Sequence, residues 1–483
     1  MNLEILLEKK EQLQLELLKQ LISEKNPPTL SQLGEQIRLS RPSLELYLED
    51  LQDWGKVHQC FQMIRNANHI YARLSTGKTF DKILGAFVKE SIKYNLLCAL
   101  LEKQALTITS LSAHLMISES TLFRKIKELN ILLKPFDLVI KNNQMNGEES
   151  QIRYFYYLLW QTLHPNFRPS FLSPSKQSQQ VVNLLEESLR VRFSPSSQAK
   201  INCWLRIADQ RKMVESRKNQ LAQKQKSFYQ DNHLYQLLDS VFYQSIYEDK
   251  VSKENYETII FFEFLISFYI LSREDYYRFY VSQSQKIPVV LLDIAIRERA
   301  LKHYQTHRLA IEEEKSFSYQ LSQVNNRFYF FKGTLSRYQK VQLMDYEKNM
   351  MDQSLQHLLK KLLEIAQSYF PQQNGFNDLE FGYTNMLLLL EVLFTRQVTI
   401  AYDLSEDPSF HIPLEQLLKS QLRSIENISI EPFNPDKSYD LLVSNQRDEP
   451  RENVYLLDDF NLEQNLHLLT QKIELLKQNR LSH

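Results

Sequence analysis

One pattern occurs twice in this chain at a constant offset. Residues 29–52 read TLSQLGEQIRLSRPSLELYLEDLQ and residues 107–130 read TITSLSAHLMISESTLFRKIKELN, a separation of 107 − 29 = 78 with no gap. Apolar positions coincide throughout: Leu30/Ile108, Leu33/Leu111, Ile37/Leu115, Leu39/Ile117, Leu44/Leu122, Leu48/Ile126 and Leu51/Leu129. Ser40 and Ser118 take the same hinge. This spacing predicts a helix, a tight turn and a second helix. That unit can present its second helix to the DNA major groove. Two such units in tandem lead to the expectation of a DNA-binding regulator, and they raise the question of which copy reads.

The rest of the chain is built for helices. Glycine occurs 8 times in 483 residues, while 43 % of residues are hydrophobic and 24 % charged, so cores are affordable and tight turns are few. The three cysteines, Cys60, Cys98 and Cys203, have no paired spacing, which argues against a disulfide framework or a zinc site and for a reducing compartment. The richest apolar stretch, Ile259–Leu271, contains Glu263 and is too short to span a bilayer. The first residues alternate Leu with Glu and Lys as an amphipathic helix does, rather than as a signal peptide. The expected location is the cytoplasm. Formal charge is zero, with 58 basic and 58 acidic residues. That disfavours non-specific coating of nucleic acid and leaves site-specific binding by a locally basic surface.

The expected fold class is mainly α and multidomain. Two N-terminal winged helix-turn-helix domains precede a helical two-part regulatory body and a small C-terminal α/β domain. Residues 1–85 hold a leucine-rich helix from about Leu3 to Ile22, ended by Asn26-Pro27-Pro28, and then the first copy. Trp54-Gly55-Lys56 is expected to turn the chain into a hairpin, or wing, of His58–Ile64 and His69–Leu74 around Arg65-Asn66-Ala67-Asn68. Residues 86–163 hold a helix at Lys89–Leu101, the second copy, and a wing turning at Asn142-Asn143, where asparagine suits positive φ. An aromatic helix, Ile152–Leu163, trails it. Residues 164–180 read as a linker rich in Pro, Ser and Gln. Residues 181–285 and 286–396 are helix after helix, with a boundary near Ser282–Pro288. Residues 397–483 change character: a strand at Gln397–Tyr402, a helix at Ile412–Ile425, strands at Ile428–Phe433, Asp440–Val443 and Val454–Leu457, and a last helix at Asn461–Gln478. That order suggests a largely parallel sheet.

The two second helices differ in what they turn outward. At about 100° per residue, Leu122, Ile126 and Leu129 define the inward face of the second copy. Ser120, Arg124 and Lys127 lie opposite, with Lys125 and Glu128 on the flanks. Ser118 is a good N-cap, which places Ser120 and Thr121 in the first turn. Arg can take guanine O6 and N7 together, and Lys and Ser can take base edges or phosphates. Lys134 and Lys141 are placed to meet phosphates from the helix end and the wing. The same positions of the first copy are Pro42, Leu46 and Glu49, with Glu45, Asp50 and Asp53 nearby. Its basic residues, including Arg41, Lys56 and Arg65, lie mostly off the reading face and are expected to play an auxiliary part. The second copy is therefore the expected reader.

With these residues in hand, the chain resembles the Mga-type global and virulence regulators of Gram-positive bacteria, most specifically over Leu106–Gly147. The resemblance implies two winged helix-turn-helix domains, two helical domains similar to phosphotransferase-system regulation domains, and a terminal domain similar to sugar-transport enzyme IIB. It implies binding to double-stranded promoter DNA, activation of transcription, and self-association, commonly a homodimer through the C-terminal domain. It also implies histidine phosphorylation by phosphotransferase-system phosphocarrier proteins. The candidates are His233, His303, His307 and His357, with His357 beside Lys360 and Lys361 the foremost. LLDSVFYQSIYEDK, the stretch most like the first domain's usual site, offers Ser240 and Tyr243 instead. The terminal domain departs from a working enzyme IIB. Its loop Asp403–Phe410 has no cysteine, and none occurs after Cys203, so the usual phosphoryl relay lacks its thiolate. A dimerisation or protein-contact role is expected there.

No cofactor is expected, nor an enzyme. GxGxxG, Walker A, HExxH and GxSxG are all missing from the sequence. Glu312-Glu313-Glu314 and Asp458-Asp459 read as solvated acidic faces, and Tyr256–Tyr280 as helical core. Two rival readings remain: a scaffold whose winged helices bind protein, suggested by the neutral charge and the acidic first copy, and a phosphorylated signalling intermediate.

Overall fold

The computed structural model describes residues 3–23, 27–66, 69–102, 107–211, 220–246, 256–281, 287–304, 308–336, 342–344, 346, 351–373, 376–394, 398–404, 407–422, 425, 428–445, 453–457 and 461–480. Parts of several expectations fall outside them: Asn26 of Asn26-Pro27-Pro28, Ala67-Asn68 of the first wing tip, the end of LLDSVFYQSIYEDK, most of the boundary at Ser282–Pro288, His307, Gln397 at the start of its strand, Ser405-Glu406 of the loop Asp403–Phe410, residues 423–424 of the helix Ile412–Ile425, and Asp458-Asp459. The chain forms two compact units, Met1–Ile296 with Ser318–Tyr383, and Arg297–Phe317 with Thr384–His483.

The first unit opens with a 3-10 turn, Leu3–Leu6, and helix α1, Lys9–Ser23. Helices α2 (Leu30–Ile37) and α3 (Arg41–His58) lead into the antiparallel strands β1 (Phe61–Asn66) and β2 (His69–Leu74). Helix α4, Phe80–Glu90, follows. Helices α5 (Ile92–Glu102), α6 (Ile108–Leu115) and α7 (Glu119–Leu133) and strands β3 (Val139–Lys141) and β4 (Gln144–Asn146) repeat the arrangement. Helix α8, Glu149–Thr162, closes the pair.

Local chemistry accounts for the repetition. Thr29 and Thr107 cap α2 and α6 with side-chain oxygens that accept from the third helical N–H. Both helices end in a left-handed residue, Arg38 at φ 58° and Met116 at φ 54°. Behind each, the Leu39 N–H donates to the Gly34 carbonyl at 2.9 Å and the Ile117 N–H to the Ser112 carbonyl at 3.0 Å. Ser40 and Ser118 then cap α3 and α7. The repeat runs beyond the matched sequences. Gln59 (φ 51°) and Asp137 (φ 59°) are left-handed turns 137 − 59 = 78 residues apart, and each opens a wing. It ends there, because the wing strands are six residues long in the first copy and three in the second.

Three expectations are corrected here. Trp54-Gly55-Lys56 does not turn the chain: α3 continues to His58, and Gly55 is buried within it. A Cβ on Gly55 would stand 2.7 Å from the Phe61 ring, so the glycine serves the packing of β1 against the helix. The helix foreseen at Lys89–Leu101 is two helices, because Ser91 ends α4 and its hydroxyl accepts from the Tyr94 N–H at 3.2 Å to begin α5. The expected division at residues 85/86 consequently falls inside α4. The stretch 164–180 is ordered: 3-10 turns at Pro165–Phe167 and Ser170–Leu172 bury Leu172, and Ser175 starts α9 with a capping box.

Helices α9 (Lys176–Leu189), α10 (Pro195–Arg211), α11 (Gln220–Tyr229), α12 (His233–Ile246), α13 (Glu257–Leu265) and α14 (Arg273–Val281) continue the first unit. The chain goes on through α15 (Pro288–His303), α16 (Ile311–Phe330), α17 (Gln353–Tyr369) and α18 (Phe376–Phe394). One apolar core spans the first unit and takes in residues of both winged domains and the aromatic helices, including Tyr154, Phe155, Trp160, Phe261 and Phe264. The expected aromatic core at Tyr256–Tyr280 is thus present.

The second unit contains a four-stranded, wholly parallel sheet of β5 (Val398–Asp403), β6 (Ile428–Pro432), β7 (Leu441–Ser444) and β8 (Val454–Leu456), in the order β6-β5-β7-β8. Helices α19, Pro408–Leu422, and α20, Leu462–Arg480, supply Leu418, Leu422, Leu469 and Ile473 to its core. Within that unit, Glu312 pairs with Lys315 and Glu314 with Arg297. Among the described residues no helix is long and apolar enough to cross a membrane.

Candidate nucleic-acid interface

Helix α7 takes its position from the residues it buries. Leu122, Leu129, Leu132 and Leu133 point inward. Ser120, Arg124 and Lys127 are exposed on the opposite side, and Lys134 and Lys141 are exposed at the helix end and on the wing. Among the described residues Lys127, Lys134 and Lys141 make no ion pair, and Arg124 lies 4.0 Å from Glu128. Ser120 Oγ sits 2.9 Å from Ser118 Oγ at the helix start. Thr121 is half-buried: its backbone N–H and its hydroxyl both lie against the capping oxygen of Ser118, at 3.2 and 3.0 Å.

Besides apolar packing, the Asn130 side chain fastens the wing to this helix. Asn130 donates to the Ile140 carbonyl at 3.1 Å and accepts the Ile140 N–H at 2.6 Å, replacing the strand partner that β3 lacks on that edge. At the wing tip Asn142 and Asn143 have φ of 53° and 55°, the conformation of a two-residue hairpin turn. Lys141 stands just before that turn.

Lys125 requires a correction. It is 2 % exposed, so it is not available to DNA. Three residues after Leu122 and four before Leu129, it falls within the inward arc of the helix. Its ammonium pairs with Glu8 at 2.5 Å and Glu128 at 3.1 Å. Lys93 of α5 joins the same cluster, 3.2 Å from Glu128 and donating to the carbonyls of Ile5 and Leu7 at 3.1 Å. Partial burial works against the charged form of Glu128. The hydrogen bonds from Lys125 and Lys93 outweigh it and hold the carboxyl below its ordinary range. This cluster ties the segment before α1 to the middle of α7. Sequence reasoning missed it because Glu8 and Lys125 are 117 residues apart.

The first copy offers a different surface. Pro42, Leu46 and Glu49 are exposed at the positions of Ser120, Arg124 and Lys127. Arg41 is engaged by Glu45 at 3.1 Å, Lys56 by Asp53 at 3.0 Å, and Asp50 by Lys10 at 2.6 Å. Arg65, on β1, is exposed and unpaired among the described residues. The far end of α3 is occupied within the chain. Trp54 stacks on Phe87 of α4 with ring centroids 4.0 Å apart, and Trp54 Nε1 donates to Glu90 at 3.0 Å. His58 Nε2 also meets Glu90, at 2.8 Å.

One fastening that sequence reasoning did not reach lies at the base of the second wing. Lys332, just beyond α16, pairs with Asp137 at 3.0 Å, and Gln151 bonds the Phe330 carbonyl and the Lys332 N–H. Gly333, at φ 81°, lets the chain pass where a Cβ would meet the Phe136 ring at 2.6 Å.

A comparison with curated proteins finds no match to this chain. Residues 76–160 match the family model described as the Mga helix-turn-helix domain. The matched stretch begins just before α4, contains α5 to β4, and ends within α8, so it encloses the whole of the basic helix-turn-helix and its wing. The chain carries an Mga helix-turn-helix domain over residues 76–160, and that domain supports a DNA-binding transcription regulator of the Mga type.

Proposed function

We propose that α7 is the main reader of promoter DNA and that the first copy assists it. The observation that carries this reading is the difference between two equivalent faces. Ser120, Arg124 and Lys127 are exposed, with Lys134 and Lys141 to either side, whereas Pro42, Leu46 and Glu49 replace the first three in α3. Arg124 and Lys127 reach base edges or phosphates, Ser120 sits at the helix start, and Thr121 is engaged by the capping hydroxyl of Ser118. In the first copy Arg65 is best placed for a backbone contact, while Arg41 and Lys56 must first leave their carboxylates. A gel-shift titration in varied salt tests the assignment. Arg124→Ala and Lys127→Ala should each weaken binding by about 1–3 kcal/mol, and each lost phosphate contact should flatten the salt slope by about 1. If changes at Leu46 and Glu49 prove more damaging, α3 is the reader. If no duplex is retarded at low salt, the protein-scaffold reading stands instead.

The helical body is assigned the sensing of carbohydrate status through the phosphotransferase system, with activation as the output. His233 and His357 are both exposed on helices, as a phosphocarrier would need. Labelled phosphoenolpyruvate, with the kinase that passes its phosphate to the phosphocarrier and the phosphocarrier itself, should leave acid-labile label on the chain, and its absence while the phosphocarrier is labelled would remove this part. Self-association is assigned to the C-terminal domain. Exposed Phe410, Ile412 and Leu417 on α19 support it. Light scattering of Phe410→Asp should then show a smaller species than the parent chain.

A further inference from the structure

The reading face of α7 is not purely polar. Phe123 is 53 % exposed on it, Ile131 69 %, and Met116, in the turn before the helix, 93 %. On the helix Phe123 lies about 60° to one side of Ser120, while Arg124 lies about 40° to the other. Lys127, one turn along, is the neighbour of both. Among the described residues this large ring, exposed beside two cations, stacks on no other aromatic ring. The equivalent residue in the first copy is Glu45, held by Arg41, so an exposed ring beside cations belongs to the second copy; the apolar residue that the first copy exposes on this face, Leu46, stands at the position of Arg124. The ring stands in the first turns of the helix, where helix-turn-helix proteins place their base contacts.

The major groove offers one apolar feature, the C5-methyl group of thymine. We propose that Phe123 makes α7 selective for a thymine, its ring lying against that methyl within one or two base pairs of the base pair that Arg124 contacts. This rests on the reading of α7 as the groove helix and adds a specificity to it. The surrounding cations fix the helix against the phosphates, and Arg124 supplies the polar half of the readout. Phe123 supplies a contact that depends on a single methyl group and on no hydrogen bond.

The test uses the full chain and a pool of randomised duplexes, sequenced after rounds of binding. The parent chain should enrich a motif with a thymine column at fixed spacing from a guanine column. Phe123→Ala should keep the guanine and lose the thymine, and Phe123→Leu should keep both. Replacing that thymine by deoxyuridine removes only the methyl. It should weaken parent binding roughly fourfold, the size expected for one buried methyl-sized group, and leave Phe123→Ala unaffected. Equal binding of the thymine and deoxyuridine duplexes, or a thymine column that survives Phe123→Ala, overturns the proposal while the groove helix stands. A pool in which nothing is enriched overturns both.

Discussion

Lys125 and Arg124 are adjacent, equally charged and opposite in role. Arg124 projects into solvent, whereas Lys125 is enclosed with Glu8 and Glu128. Arg124→Ala should therefore leave stability within about 0.5 kcal/mol of the parent while lowering DNA affinity. Lys125→Ala should cost about 1–3 kcal/mol. That is less than a fully buried pair, because its two carboxylates are each about one-third exposed. The Lys125 contribution has a predictable pH dependence. The Glu128 carboxyl is held below its ordinary value of 4.5, so its stabilisation is complete above that pH and is lost as pH falls through the depressed folded value. Urea midpoints of the parent and of Lys125→Met should differ most at neutral pH and converge below pH 4.5. A constant gap across that range would mean that packing of the lysine stem, and not the ion cluster, sets the effect.

At the scale of elements, the helix-turn-helix units were readable because their determinants are local. Each cap oxygen serves an N–H three residues on, and each left-handed residue ends its helix with bonds to carbonyls within five residues. The wing tip at Asn142-Asn143 was readable for the same reason. Gly55 was misread because a glycine in isolation says only that a Cβ is absent. Whether it turns the chain or admits a ring depends on Phe61, which lies on the next element. Gly55→Ala improves intrinsic helix propensity by up to about 1 kcal/mol. It also sets a methyl against a buried ring at 2.7 Å, an overpacking that costs about 1–3 kcal/mol. A net loss in thermal melting is expected, and pairing it with Phe61→Leu should restore part of it. A rise in melting temperature for the single variant would show that the ring moves aside freely.

Over the whole molecule, α8 joins the winged domains to the helical body through buried charge as well as aromatic packing. Arg153, 1 % exposed, holds Glu149 at 2.9 Å and both oxygens of Glu257 at 2.6 and 2.8 Å. Arg211 closes on the other side of Glu149 at 2.8 Å. Glu149→Gln removes the charge that balances Arg211, and should cost about 3–5 kcal/mol in chemical denaturation. The double change Glu149→Leu with Arg211→Met should recover much of that, because apolar pairs of similar size often replace buried ions without loss. If the single change is nearly neutral, the network is not what holds α8. By itself the sequence determined the caps and turns of the two helix-turn-helix units, the tip of the second wing and which strands form the terminal sheet. The hydrogen bonds and φ values responsible are set within a few residues, and the apolar periodicity within a few turns. Only the tertiary structure decided which charges remain available to a ligand. Lys125 is withdrawn by Glu8 and Arg211 by Glu149, partners 117 and 62 residues away, while Arg124, Lys127 and Phe123 are left facing water.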